Sequence, residues 1–104
     1  MNDEVIEMST GNVYVDLDFV DAESMLLKAQ LAARISHILT EKGWSQTQSA
    51  QVLGIPQSKL SMMLRGQFRG ISEAKMLECL ARLGRDIRIA IGPEHAGVGQ
   101  VQVI

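Results

Sequence analysis

Apolar residues in the middle of the chain recur at the spacing of an α-helix. Between Ala22 and Glu41 they lie three or four positions apart, which predicts one long helix with an inward-facing stripe. The stripe consists of Leu27, Leu31, Ile35, Ile38 and Leu39. We expect Asp21 to cap the start of this helix and Gly43 to follow its end.

Two shorter helices are predicted next, separated by a tight turn. Ser45 is a favourable cap for a helix over about Gln46–Leu53. Gly54 ends that helix, because a left-handed backbone costs little without a Cβ. Pro56 then suits the start of a helix over about Gln57–Arg65, where its missing N–H costs little.

A glycine-flanked loop and a fourth helix complete the helical part of the chain. The loop is Gly66–Gly70, and Ser72 is a favourable cap for a helix that extends to about Leu83. The inward face of this helix carries Met76, Leu77, Leu80 and Leu83.

Both ends of the chain alternate apolar and polar residues, which is typical of β-strands. Val13–Phe19 alternates apolar residues with acids, and predicts a short strand or an extended arm. Further on, Ile87, Ile89 and Ile91 share one face of a predicted strand. A lone strand has unpaired backbone groups on both edges. Its partner could be the Val13–Phe19 segment, the same strand of a second subunit, or another protein.

These elements predict a mainly α fold, a bundle of about four to five helices with a short C-terminal β-strand. The chain divides into an acidic N-terminal arm (1–20), a helical domain (21–84), a strand (85–92) and a flexible tail (93–104). A length of 104 residues fits one domain.

The segment Gln46–Arg65 has the residue pattern of a helix-turn-helix. Ala50 allows the two short helices to approach closely, and Gly54 takes the turn between them. Leu60 and Met63 lie three positions apart on one helix face and can anchor the second helix to the core. DNA binding is therefore the leading hypothesis, with the start of the second helix in the major groove.

The polar residues around this motif supply the chemistry that DNA recognition needs. Those expected to contact base edges are Gln57, Ser58, Lys59, Ser61 and Met62. Those expected to contact the sugar–phosphate backbone are Gln46, Thr47, Arg65, Gln67 and Arg69.

The charge distribution agrees with this hypothesis although the net charge is −2. Residues 1–25 contain seven acids and no Lys or Arg, whereas residues 56–88 contain seven bases and three acids. Phosphates respond to a local basic surface rather than to the sum over the chain.

Other functions find little support in the composition. A single Cys excludes an intrachain disulfide, and one Cys with two distant His residues gives no metal-ligand spacing. No nucleophile and base pattern, phosphate loop or cofactor motif is present, so we expect neither an enzyme nor a cofactor. The acidic start MNDEVIE is unlike an export signal, and we expect a cytoplasmic protein without a membrane span.

Residues 31–83 resemble the XRE-type, lambda-repressor-like helix-turn-helix regulators. Three further segments extend the resemblance over nearly the whole chain, to a subgroup similar to HigA-type antitoxins. They are GNVYVDLDFVDAESMLLKAQLAARI, SQTQSAQVLGIPQSKLSMMLRGQFRGIS and LARLGRDIRIAI. One departure is Gly70, where a basic or aromatic residue is more usual.

The resemblance implies a homodimeric repressor that binds a palindromic operator in double-stranded DNA. We expect Ile87, Ile89 and Ile91 to form the dimer contact, because antiparallel pairing across a two-fold axis satisfies one strand edge on each subunit. The alternative function is neutralisation of a small RelE/HigB-like ribonuclease toxin. In that case the acidic residues 1–25 would face the basic toxin.

Overall fold

The computed structural model describes the backbone of residues 13–104 and the side chains of residues 22–104. Its helices are α1 (Val13–Lys42), α2 (Gln46–Leu53), α3 (Gln57–Leu64) and α4 (Glu73–Arg82). The mainly α fold is confirmed, and α2, α3 and α4 begin at the residues that their caps predict. The first twelve residues of the predicted arm lie outside the described residues.

The start of α1 differs from the prediction. Val13–Phe19 is neither a strand nor an extended arm, because α1 begins at Val13. Asp21 lies inside this helix and therefore does not cap it. Leu17 of the alternation also forms a helical pair with Val20, three positions further on, and no Gly or Pro interrupts the chain between Asn12 and Gly43. A seven-residue alternation is too short to outweigh continuation of such a helix.

The strand predicted over residues 85–92 is not confirmed. From Arg85 to the end of the chain, the described residues form no helix or strand. Ile89 and Ile91 are 80% and 93% exposed, so their shared face is left largely uncovered by the described residues. A strand needs a neighbouring edge, and the segment that was its candidate partner within the chain is helical.

Side-chain and backbone caps explain where the short helices begin and end. The Ser45 hydroxyl accepts a hydrogen bond from the Gln48 N–H at 3.1 Å, and the Ser72 hydroxyl accepts one from the Lys75 N–H at 3.0 Å. Gly54 adopts a left-handed backbone with φ of 71°, and its N–H donates to the Ala50 carbonyl at 2.9 Å. These local bonds hold α2 and α3 on either side of a short turn.

The core lies between α1, α4 and the two motif helices. Ile35, Leu53, Leu60 and Met76 are fully buried there, so each of the four helices contributes one of these side chains. Ala50 is also buried, as expected for the small residue that lets α2 pack closely. The other buried apolar residues are Leu31, Ala32, Ile38, Leu39, Ile55, Met63, Phe68, Ile71, Cys79 and Leu80.

The C-terminal tail returns to α1 at one point. The Val103 N–H donates to the Gln30 side-chain oxygen at 3.1 Å, and the Val103 side chain packs against the core. None of the described helices has the length and apolar character needed to cross a membrane.

Gly54 and Gly43 form a matched pair for testing the cost of the turn. Both have φ near 70°, but a Cβ on Gly54 would lie 2.9 Å from the Arg82 guanidinium carbon, whereas a Cβ on Gly43 would meet nothing within 4 Å. We expect Gly43→Ala to lower the free energy of unfolding by about 1–2 kcal/mol through backbone strain alone.

Gly54→Ala should cost the same within about 0.5 kcal/mol, because the obstructing group is the end of a flexible side chain that can move aside. Urea unfolding followed by circular dichroism measures both values. A much larger loss for Gly54→Ala that disappears in an Arg82→Ala background would show instead that Arg82 is fixed over the turn.

Candidate nucleic-acid interface

Helix α3 is divided into a buried face and an outward face. Leu60 and Met63 are 0% and 1% exposed and fasten the helix to the core. Gln57, Ser58 and Met62 are exposed, and Lys59 and Ser61 are half-buried. All five residues expected to contact base edges therefore retain surface to offer a ligand. The helix can present them in a fixed geometry because its opposite face is packed.

A side-chain hydrogen bond joins the N-terminal ends of α2 and α3. The Thr47 hydroxyl donates to the Gln57 side-chain oxygen at 3.2 Å. This bond restrains the Gln57 amide, which keeps its N–H donors for another partner. The sequence placed both residues at the interface but gave no sign that they contact each other.

The loop between α3 and α4 is ordered by backbone bonds and by two buried side chains. The Gln67 N–H donates to the Met62 carbonyl at 2.8 Å, and the Ile71 N–H donates to the Phe68 carbonyl at 3.0 Å. Phe68 and Ile71 point into the core. Gln67 and Arg69, which flank Phe68, are exposed. The loop thus offers polar side chains outward while an aromatic ring holds it from inside.

A cluster of polar groups on α1 and α4 also holds this loop. Lys28 is only 8% exposed, and its Nζ donates to the Arg69 carbonyl at 2.8 Å. The Ser24 hydroxyl donates to a Glu73 carboxylate oxygen at 2.5 Å, and this bond, with a backbone bond and the nearby Lys28 charge, lowers the pKa of Glu73. The sequence did not predict this cluster. The available signal was that Lys28 shares a helical stripe with buried Ala32 and Ile35.

The acid–base balance around the motif leaves cations exposed beside α3. Glu78 pairs with Arg82 at 3.2 Å and with Lys75 at 3.5 Å, and the bond from Arg82 is the main cause of its lowered pKa. Among the described residues, no carboxylate forms an ion pair with Lys59 or Arg65. The exposed side-chain groups of the candidate interface are therefore positive or neutral.

The ten residues that the sequence analysis assigned to DNA binding all lie at the surface, eight exposed and two half-buried. Gln46 and Thr47 are the first residues of α2, where backbone N–H groups lack partners within the helix. Arg65 follows the last residue of α3. The structure therefore places these residues at the start of α2, along α3 and in the loop after α3.

The described residues give no sign of metal or thiol chemistry. No three of their His, Cys, Asp or Glu side chains lie together as metal ligands would. Cys79 is buried in α4, and burial raises the pKa of its thiol. A buried thiol with a raised pKa is a packing group rather than a nucleophile.

Comparison with known proteins defines the class of this chain. A family model described as "Helix-turn-helix domain" matches residues 13–92, so the chain belongs to this helix-turn-helix family. Among solved structures, it is similar to a protein assigned to the XRE family of transcriptional regulators, with 27% sequence identity and a TM-score of 0.75. That alignment covers 81% of this chain and 97% of the other. The curated proteins include no significant match.

The XRE-type helix-turn-helix fold expected from the sequence is thereby confirmed. The closer resemblance to HigA-type antitoxins is tested by none of these matches and stays a prediction.

The lowered pKa of Glu73 predicts how stability depends on pH. Because the folded-state pKa lies below the unfolded one, the contribution is present above roughly pH 4.3 and is lost as the pH falls through the folded-state value. Glu73→Gln should therefore reduce the free energy of unfolding at pH 7 by no more than about 0.5 kcal/mol, since the Ser24–Glu73 hydrogen bond is only partly buried.

The difference between wild type and Glu73→Gln should shrink as the pH is lowered to about 3, measured by urea unfolding at each pH. Glu94→Gln, on the exposed tail, controls for loss of one negative charge. A difference that grows toward acid pH would contradict the role given to the Ser24 bond.

Proposed function

We propose that this protein binds double-stranded DNA through α3 and regulates transcription. The observation that supports this most directly is the two-sided character of α3, with Leu60 and Met63 buried and the polar residues from Gln57 onward facing outward. Membership of a helix-turn-helix family and similarity to an XRE-family regulator support the same conclusion.

The start of α3 is proposed to enter the major groove. Gln57 can bond an adenine edge, and Lys59 can donate to guanine O6 and N7. Ser58 and Ser61 can donate or accept, and Met62, which is 43% exposed, can contact a thymine methyl group. The Thr47 bond limits the orientations of Gln57, which favours a defined base contact over a mobile one.

The flanking residues are proposed to hold the sugar–phosphate backbone. The first N–H groups and the side chains of Gln46 and Thr47 suit a phosphate oxygen. On the other side of α3, Arg65, Gln67 and Arg69 would contact the backbone from the ordered loop. Such contacts set the register of α3 without reading sequence.

We further propose that the protein acts as a homodimer on a palindromic operator. Ile89 and Ile91 are mostly exposed, and Ile87, which belongs to the same alternating segment, is 39% exposed. Pairing of these segments between two copies would cover the isoleucines and satisfy backbone groups that have no strand partner within residues 13–104.

Toxin neutralisation remains an alternative that rests on the acidic residues 1–25. Most of that segment lies outside the residues whose side chains the structure describes, so no described contact favours it over DNA binding. Both functions can coexist in one protein, and the alternative is retained as a prediction.

Substitutions in α3 should separate base reading from backbone binding. Gln57→Ala or Lys59→Ala should weaken binding to a preferred duplex, selected by the wild type from a randomised pool, by about 1–3 kcal/mol. Arg65→Ala should weaken binding to selected and unselected duplexes alike. It should also flatten the slope of log K against log salt by about one unit. Fluorescence anisotropy measures these affinities.

Gln51→Ala provides the control, because Gln51 is an exposed glutamine near the far end of α2. It should leave both affinities unchanged. Undiminished preference in a Gln57→Ala, Lys59→Ala double variant would show that α3 is not the reading helix.

A charge placed on the isoleucine face should disrupt the dimer. We expect Ile89→Asp to shift the protein from dimer to monomer in sedimentation-equilibrium experiments, because an acid in a paired apolar face is left desolvated. Val98→Asp is the matched control, since Val98 is similarly exposed, at 75%, but lies outside the alternation. A wild type that is monomeric throughout the concentration range would rule out the pairing.

A further inference from the structure

Lys28 lies where three parts of the chain meet. It projects from α1, its Nζ bonds the Arg69 carbonyl at 2.8 Å, and its charge acts on the Glu73 carboxylate at the start of α4. Burial of an ammonium group is costly unless hydrogen bonds and an opposite charge offset it. An apolar side chain could fill the same space at lower cost, so stability alone does not account for a lysine here.

The bond that Lys28 makes fixes the backbone at one point of the loop. Phe68 and Ile71 are buried on either side of Arg69, but Gly66 and Gly70 give the loop conformational freedom at both of its ends. A donor held from α1 restricts the peptide group that follows Arg69. The same restriction limits the backbone conformations of Arg69, and with them the positions that its side chain can take.

We propose that Lys28 is a positioning residue for DNA binding, which acts by holding the α3–α4 loop so that Arg69 reaches the sugar–phosphate backbone. Lys28 itself does not touch DNA. The inference rests on the proposed DNA binding and adds to it a residue of α1, outside the motif.

The test uses the full chain and a short labelled duplex of mixed sequence, because backbone contacts do not require the operator. Affinity is measured by anisotropy between about 50 and 200 mM salt, where each lost phosphate contact flattens the slope of log K against log salt by about 0.9. Four proteins are compared: wild type, Lys28→Met, Arg69→Ala and the double variant.

We expect Lys28→Met and Arg69→Ala each to flatten the slope by about one unit, and the double variant to show no further change. Thermal unfolding provides the readout that separates positioning from stability. The Arg69→Ala variant keeps the backbone carbonyl that Lys28 bonds. Lys28→Met should therefore change thermal stability equally in the wild type and in the Arg69→Ala variant. Its effect on the salt slope of DNA binding should be present in the wild type and absent in the Arg69→Ala variant. Arg34→Met, at an exposed position of α1, should leave the slope nearly unchanged.

Additive slopes in the double variant would overturn the proposal, since Lys28 would then act independently of Arg69. A normal slope for Lys28→Met, with or without lower stability, would overturn it as well. If Lys28→Met fails to fold, Lys28→Leu takes its place, because it also removes the donor to the Arg69 carbonyl while it keeps an apolar side chain at this buried position, and the same slopes are expected. A wild type that binds no duplex would instead refute the proposed function itself.

Discussion

Burial of one face of α3 is the constraint on which the rest of the structure depends. Leu60 and Met63 are held in the core mainly by α1 and α2, so a helix of only eight residues keeps a fixed position. An isolated helix of that length would be marginal in water. Packing therefore supplies the rigidity that an exposed row of polar side chains cannot supply for itself. The Gly54 turn and the small Ala50 allow α2 to provide part of that packing.

The sequence predicted α2, α3 and α4 well because the signals that set their ends act locally. Ser45, Gly54 and Ser72 each form the backbone contact expected of their type, and such contacts involve neighbours within a few residues. The prediction for the start of α1 was wrong because a short alternation of apolar and acidic residues is compatible with the period of a strand and with that of a helix. The strand predicted after Gly84 is not confirmed for a different reason, since a strand depends on a partner that its own sequence does not identify.

The candidate site also combines features that local sequence signals predict with features that depend on distant contacts. The ten candidate interface residues could be placed on the surface from helix periodicity and from the position of the turn. The contacts that support them could not, because Thr47 with Gln57, Lys28 with Arg69, and Ser24 with Glu73 join positions 10, 41 and 49 residues apart. These supporting contacts arise from the way the helices pack. A lysine on an otherwise apolar helical stripe is the one feature of the sequence that could have suggested them.

The electrostatics of the chain depends on this same packing. A net charge of −2 would repel DNA if it were spread evenly, yet the two acids of α4, Glu73 and Glu78, are engaged by other side chains. Glu78 is neutralised by two bases, and Glu73 lies against Ser24 and Lys28. Lys59 and Arg65 therefore face solvent with little local opposition, and their field falls off within about 8–10 Å at physiological salt. A duplex that approached α3 would therefore respond to these local charges rather than to the net charge of the whole chain.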